Sequence, residues 1–276
     1  MQDLLLHENV SFYTLLYFVA DFFYMTEQFK RRVFLKQAAT IGSLYSFSKV
    51  SGLDETDADQ RRKLNVVCVG GHPDDPESGC GGTLLLYAKA GHNVSIVYIT
   101  KGEAGIEGKN YNDAAQIRTK EAETASKIIG AQPYFLGQTD GSTQFDGQAI
   151  KLMRELLKKL QPDILFTHWP IDSHPDHQVA SLLSYQSWLR MKKSFVVYFF
   201  EVDSGSQTMH FNPTHYVDIS SVEEQKKSAL YSHTSQVPEG IYLNHHLIMQ
   251  QFRGREIGVK HAEAFVRLDA NKLMIE

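Results

Sequence analysis

The chain has 276 residues, 42% of them apolar and 22% charged, with a net charge of −4. That composition suits one globular domain with a filled core and excludes a disordered or fibrous chain. With no basic excess, nothing argues for a nucleic-acid partner.

Residues 1–24 are aromatic and apolar, but the run is interrupted at Asp21. It falls short of the roughly 20 apolar residues that a transmembrane helix wants, so no stable membrane span is expected in the mature domain. After Met25 comes Arg31-Arg32-Val33-Phe34-Leu35-Lys36, followed by a mildly apolar stretch to Phe47. This pattern resembles a twin-arginine export signal. On that reading residues 1–50 are a leader, translation starts at Met25 with residues 1–24 not translated, and the mature protein is exported to the periplasm. The competing reading is a basic amphipathic leader without an export role, which would leave the protein in the cytoplasm. Residues 51–63 are polar and charged and read as a linker, and 64–276 as the domain.

From Leu64 the chain alternates strand and helix. The apolar run from Leu64 to Gly70 predicts a central parallel strand. A helix follows from about Cys80 to Ala90, stopped by Gly91, and then a strand from Asn93 to Thr100. The glycine-rich stretch 101–112 reads as a loop. Asn112 or Asp113 would cap a helix to Ile129, ended by Gly130. Next come a short strand at Tyr134–Leu136, a helix over Gln148–Leu160, a strand at Asp163–Phe166, a helix reaching about Met191, and a strand over Ser194–Val202. Ser220 with Glu223 predicts a capping box for a helix through Tyr231. The tail from Pro238 reads as helical. This order predicts an α/β, Rossmann-like three-layer sandwich with a mostly parallel sheet. Cys68 sits in a strand and Cys80 at a helix start, without metal-like spacing, and no disulfide is expected.

Two stretches carry the chemistry, and each follows a predicted strand. The first is His72-Pro-Asp74-Asp75-Pro-Glu77. His72 and Asp75 are three apart, a spacing that a tight turn can aim at one point. Asp74 points elsewhere, and a free carboxylate beside a metal is a ready general base. The second is Thr167-His168-Trp169 through His174-Pro-Asp176-His177. Its last two histidines are also three apart, with Pro175 suited to the first turn of a helix. One imidazole can ligate while the other faces a substrate, and Trp169 could offer its face to a sugar ring. Open α/β sheets place ligands at the carboxyl ends of their strands, so both stretches fall at one edge. Two histidines and one aspartate with an open position suggest catalytic zinc, with iron(II) as the alternative.

Together these residues resemble the LmbE-like, or PIG-L, family of metal-dependent N-deacetylases acting on N-acetylglucosaminyl compounds. The matching pieces, in order, are Gly71–Glu77, Gly79–Thr83, Thr100–Glu103, Arg118–Glu121, His174–His177, Lys227–Gln236 and Ala262–Phe265. The resemblance implies zinc on His72, Asp75 and His177, Asp74 as general base, His174 facing the tetrahedral intermediate, and Asp176 orienting His174. It implies a substrate contact for Arg118, whose plainer reading is a surface arginine paired with Glu121, and it places His233 at the pocket. Asp172 departs from the family, some of whose members have a tyrosine there. The implied reaction is hydrolysis of an N-acetyl amide by metal-activated water, with an imidazolium at His174 favoured by Asp176. Competing readings are an amidohydrolase for a non-sugar acylamide, a non-catalytic metal-bound carbohydrate-binding protein, and a nucleotide site at Gly79-Cys80-Gly81-Gly82. The expected partner is a small amino sugar, and a homo-oligomer is in keeping with the family.

Overall fold

A computed structural model describes residues 62–268, all within one unit spanning Arg61–Glu276. The leader, the export signal and most of the linker lie outside the described residues. Seven strands form one sheet: β1 (Asn65–Gly70), β2 (Asn93–Tyr98), β3 (Gln132–Phe135), β4 (Ile164–His168), β5 (Val196–Phe200), β6 (His215–Asp218) and β7 (Ala262–Arg267). Their spatial order is β3-β2-β1-β4-β5-β7-β6. β1 lies between β2 and β4, and the first five strands are parallel; β7 runs antiparallel to both β5 and β6.

β1 is apolar on both faces because both are covered. Val66 and Cys68 pack into one core with Leu84, Ala122 and Ala229. Val67 and Val69 pack into the other with Met153, Leu157 and Leu183. The helices that supply these residues are α1 (Asp75–Lys89), α2 (Tyr111–Ile129) and α5 (Glu223–Tyr231) on the first face, and α3 (Gly147–Leu160) and α4 (Pro175–Arg190) on the second. The three-layer α/β sandwich expected from the sequence is present. Among the described residues no helix is long and apolar enough to cross a membrane.

Several local expectations are corrected. Helix α1 starts at Asp75, five residues before the expected Cys80. Its glycines discourage a helix reading, but they allow close packing. A Cβ at Gly79 would meet Phe200 at 2.3 Å and one at Gly82 would meet Ile219 at 2.6 Å. The same glycines are therefore committed to helix packing and form no phosphate-binding loop. Asn110, rather than Asn112 or Asp113, caps α2, accepting from Asp113 N. The Ser220/Glu223 capping box does not form, because Ser220 Oγ donates to His261 O and Glu223 is held by Tyr242 and Gln250. The tail is only partly helical: α6 (Pro238–Ile241), a π turn (Tyr242–His246) and α7 (Leu247–Ile257) precede β7. Cys68 and Cys80 are both free and buried.

Candidate active site

The site lies at the carboxyl ends of β1 and β4, the two central strands. β1 ends at Gly70, and a four-residue turn leads to α1. Asp75 N bonds His72 O within that turn at 3.3 Å, while Asp75 Oδ2 accepts from His72 N at 2.7 Å. These bonds fold His72 back over Asp75. β4 ends at His168, and His174 stands at the N-cap of α4, with Pro175 next. His177, one turn into that helix, points back toward Asp75.

Three donor atoms converge there. Asp75 Oδ2 lies 3.2 Å from His72 Nδ1 and 3.2 Å from His177 Nε2, and those two nitrogens are 3.3 Å apart. All three residues are buried. A tetrahedral site with bonds of about 2.0–2.1 Å has edges of about 3.3 Å, so this triangle fits one. A Cβ at Gly71 would meet the His177 ring at 2.8 Å, so only glycine admits that ring so close to the turn.

Each imidazole is held from its far side. His72 Nε2 is 3.1 Å from Asp140 Oδ1 and 3.1 Å from Asp176 Oδ2. His177 Nδ1 is 3.2 Å from Asp172 Oδ1 and 3.0 Å from Gln207 Nε2. Burial disfavours charge on His177, but Asp75 and Asp172 outweigh it and draw its pKa up to about 9. Burial likewise opposes charge on His72, yet Asp140, Asp176 and Asp75 carry its pKa well above the usual histidine value. The carboxylates thus make a place for positive charge, whether protons or a cation.

Three other sets of three could hold an ion: His72, His174 and His177, in which His174 Nδ1 already accepts from Asp176 N; Asp75, His168 and His177; and His72, Asp140 and Asp176. His168 Nε2 already accepts the Gly71 N–H at 3.0 Å, and burial drives its pKa down to about 4. Asp176 is occupied by Gly141 N and Thr143 Oγ1, and Asp140 Oδ2 by Ala104 N. The last two sets thus have donors or acceptors taken up by neighbouring backbone and hydroxyl groups.

Asp74 stands beside the triangle with φ +116°, a conformation that costs a non-glycine residue on the order of 1–3 kcal/mol and clusters at functional sites. Its side chain makes no helix-capping bond. Instead Asp74 Oδ2 accepts from Arg118 Nη2 at 2.9 Å, and Arg118 also donates to Pro73 O and Gly102 O. Burial pushes the Asp74 pKa up, Arg118 holds it back, and Asp75 adds to the rise. Arg118 is buried, so the surface pairing with Glu121 is replaced; Glu121 binds Thr234 and Ser235.

Three expectations change here. Asp176 does not reach His174 with its carboxylate, which is taken by His72, Gly141 and Thr143; its backbone N–H donates to His174 Nδ1 at 3.2 Å. His174 is not favoured as an imidazolium, because burial, His72 and His177 all lower its pKa. With Nδ1 accepting, the neutral ring carries its proton on Nε2. Trp169 offers no face to the site: its ring packs edge-on against Phe199 and Phe211, and Nε1 donates to Met209 O.

A cavity of about 380 Å³ opens over these groups, lined by His72, Asp74, Arg118, Asp140, His174 and His177 among others. A second, of about 270 Å³, adjoins it and is lined by His233, Leu230 and Ile241 among others. Asp74, Asp75, Gln207 and Gln236 line both. His233 is buried, 3.4 Å from Glu77 Oε1, which also accepts from Tyr98 at 2.5 Å. The sequence reading missed Asp140 and Gln207, which come from loops with no ligand spacing, and left Asp172 and His168 without a role. Asp172 and His168 had a visible signal, since both stand in the second motif.

Residues 67–188 match the family model described as PIG-L: GlcNAc-PI de-N-acetylase. The chain is 28% identical over 192 residues to the diacetylchitobiose deacetylase of Thermococcus kodakarensis, covering 64% of this chain and 72% of that protein. It is also 28% identical over 143 residues to the 1D-myo-inositol 2-acetamido-2-deoxy-alpha-D-glucopyranoside deacetylase of Corynebacterium diphtheriae, covering 41% of this chain and 48% of that one. Among solved structures it is similar to the N,N'-diacetylchitobiose deacetylase of Pyrococcus horikoshii in complex with its inhibitor MPG, with a TM-score of 0.66 and 27% identity over 74% of this chain and 83% of the other. Motif order, fold and these likenesses agree with the family match: residues 67–188 of this chain are similar to the PIG-L, or LmbE-like, de-N-acetylases.

Proposed function

We propose that the protein removes the acetyl group from an N-acetylglucosamine-containing substrate, using one divalent metal held by His72, Asp75 and His177. The single observation that carries this reading is the 3.2–3.3 Å donor triangle with a strained, uncoordinated Asp74 beside it. The donor set suits zinc, with iron(II) as the other candidate. Such a metal supplies an activated water and polarises the amide carbonyl.

The chain's own groups do the rest. Asp140 and Asp176 fix the His72 ring through Nε2 and leave Nδ1 free to ligate, as Asp172 and Gln207 do for His177 through Nδ1. Asp74, held in place by Arg118, takes the proton of the attacking water. Its raised pKa lets it hold that proton and then return it to the leaving amine. His174 donates from Nε2 to the oxygen on which charge develops, acting as a neutral hydrogen-bond donor. Arg118 therefore serves as a positioning residue for Asp74, and His233 as part of the wall beside it.

The substrate class rests on the family match and on the names of the deacetylases similar to this chain. Acetate release from N-acetylglucosaminyl compounds, assayed with and without chelator, tests it. Export through Arg31 and Arg32 is a separate proposal; replacing both by lysine would trap the protein in the cytoplasm, and unchanged localisation would remove it.

A further inference from the structure

The two adjoining cavities differ in chemistry. The first is walled by carboxylates, histidines and Arg118. The second sets an apolar wall of Val202, Leu230, Pro238 and Ile241 opposite polar residues that include Ser78, Asp203, His233, His245 and His246. Two of its polar members, Asp203 and His245, are paired with each other at 2.8 Å and ask nothing of a ligand. A third, His246, is kept neutral by burial, which pushes its pKa down to about 3.

The four residues common to both cavities include Asp74 and Asp75, so a substrate amide attacked there has one arm in each. A sugar ring carries hydroxyls that lose free energy in an apolar wall without partners. It therefore belongs in the polar cavity. The arm on the other side of the amide is the acyl group, and it enters the apolar chamber. An acetyl methyl is a poor match for that space. The chamber holds about 270 Å³, whereas a water-sized group needs only roughly 10–15 Å³.

We infer that the chamber between Leu230 and Ile241 is an acyl-chain subsite, and that the protein hydrolyses amino sugars bearing N-acyl groups longer than acetyl. This inference rests on the deacylase reading above. The reaction is unchanged in kind: water is added across the C–N bond, the carbonyl carbon leaves as a carboxylic acid, and the nitrogen leaves as a free amine. No other reactant is needed.

The test is a chain-length series. Glucosamine N-acylated with acetyl, butanoyl and hexanoyl groups, and the hexyl glycoside of N-acetylglucosamine, are compared in two measurements. Turnover is followed on the metal-loaded full-length protein, and binding by calorimetry on the Asp74→Asn protein. The expected result is an affinity that rises by roughly threefold to fourfold per methylene along the N-acyl series. Leu230→Trp and Ile241→Trp, which fill the chamber, are each expected to flatten that rise; Ile241 is partly exposed and tolerates the change. Affinity that is flat or falls with acyl length, while the acetyl compound is still hydrolysed, overturns the subsite and leaves the deacetylase standing. A gain from the hexyl glycoside in place of the hexanoyl amide also overturns it, by assigning the chamber to the aglycone. If no compound binds or is hydrolysed, the deacylase reading itself falls.

Discussion

The Arg118 guanidinium lies 2.9 Å from Asp74 Oδ2, although the two residues are 44 positions apart. Arg118 comes from the first half of α2, and its remaining hydrogen bonds go to the carbonyls of Pro73 and Gly102. The contact joins the β1 turn to the loop after β2 and fixes Asp74, the carboxylate that borders the donor triangle without belonging to it.

Loss of that contact has a signed consequence. The Arg118 charge favours the ionised Asp74, so Arg118→Met raises the Asp74 pKa further. A general base works only when ionised, so the acidic limb of the kcat/KM profile moves to higher pH. Activity near neutrality falls by about 10²-fold, within the range usual for general-base catalysis. A pH profile of the variant against the parent checks it; an unmoved acidic limb would separate Arg118 from Asp74.

The ligand set makes a sharper distinction. His72→Ala and His177→Ala each remove a corner of the triangle and should lose bound metal, whereas Asp74→Asn should retain it. Metal analysis of the purified variants is sufficient. Metal loss in all three would make Asp74 a ligand.

Asp172 is expected to give a graded effect. Its carboxylate accepts from Thr208 Oγ1 and His174 N as well as facing His177 Nδ1, so Asp172→Asn loosens the ring without removing a donor. Metal affinity should fall about 10–100-fold. Competition with a chelator of known strength measures this, and an unchanged affinity would restrict Asp172 to holding the 171–208 loop region together.

His246 predicts acid sensitivity of the fold. Buried among neighbours that include Lys226 and His245, it is neutral in the folded state, with a pKa of about 3, against an ordinary value of 6.5. The unfolded chain therefore binds the extra proton below about pH 6.5, and stability falls as pH falls through that window. This one group costs roughly 1 kcal/mol, or about 2–4 °C of Tm, from pH 6.5 to 5.5. The slope of Tm against pH should be shallower by that amount in His246→Gln; equal slopes would refute the assignment.

Much of this arrangement is legible from the sequence, and the remainder has identifiable causes. The two His-Pro-Asp motifs follow apolar strands, and period, proline placement and strand ends suffice to bring them to one edge. Asp140 is different. It reaches His72 from the β3–α3 loop, where nothing in Thr139-Asp140-Gly141 marks it as anything but a turn. Gln207 likewise arrives from a loop and carries no ligand signal. The start of α1 is obscured by Gly79, Gly81 and Gly82; Gly79 and Gly82 are there because Phe200 and Ile219 approach closely across the core. β6 and β7 escape the sequence reading because they form an antiparallel edge on a parallel sheet, with β7 returning to pair β6 only after a long helical stretch. The misplaced partner of Asp176 has the same origin: its proximity to His174 in sequence suggests a pair, while the fold turns its carboxylate to His72.

The measurement that bears most directly on the central claim is acetate release by metal-loaded parent and Asp74→Asn proteins from an N-acetylglucosaminyl compound, with metal content determined on the same samples. The account predicts equal metal content, release by the parent that chelation abolishes, and a rate about 10²–10⁴-fold lower in the variant. Release at the parental rate by Asp74→Asn, or release by the parent that survives complete removal of metal, would contradict it.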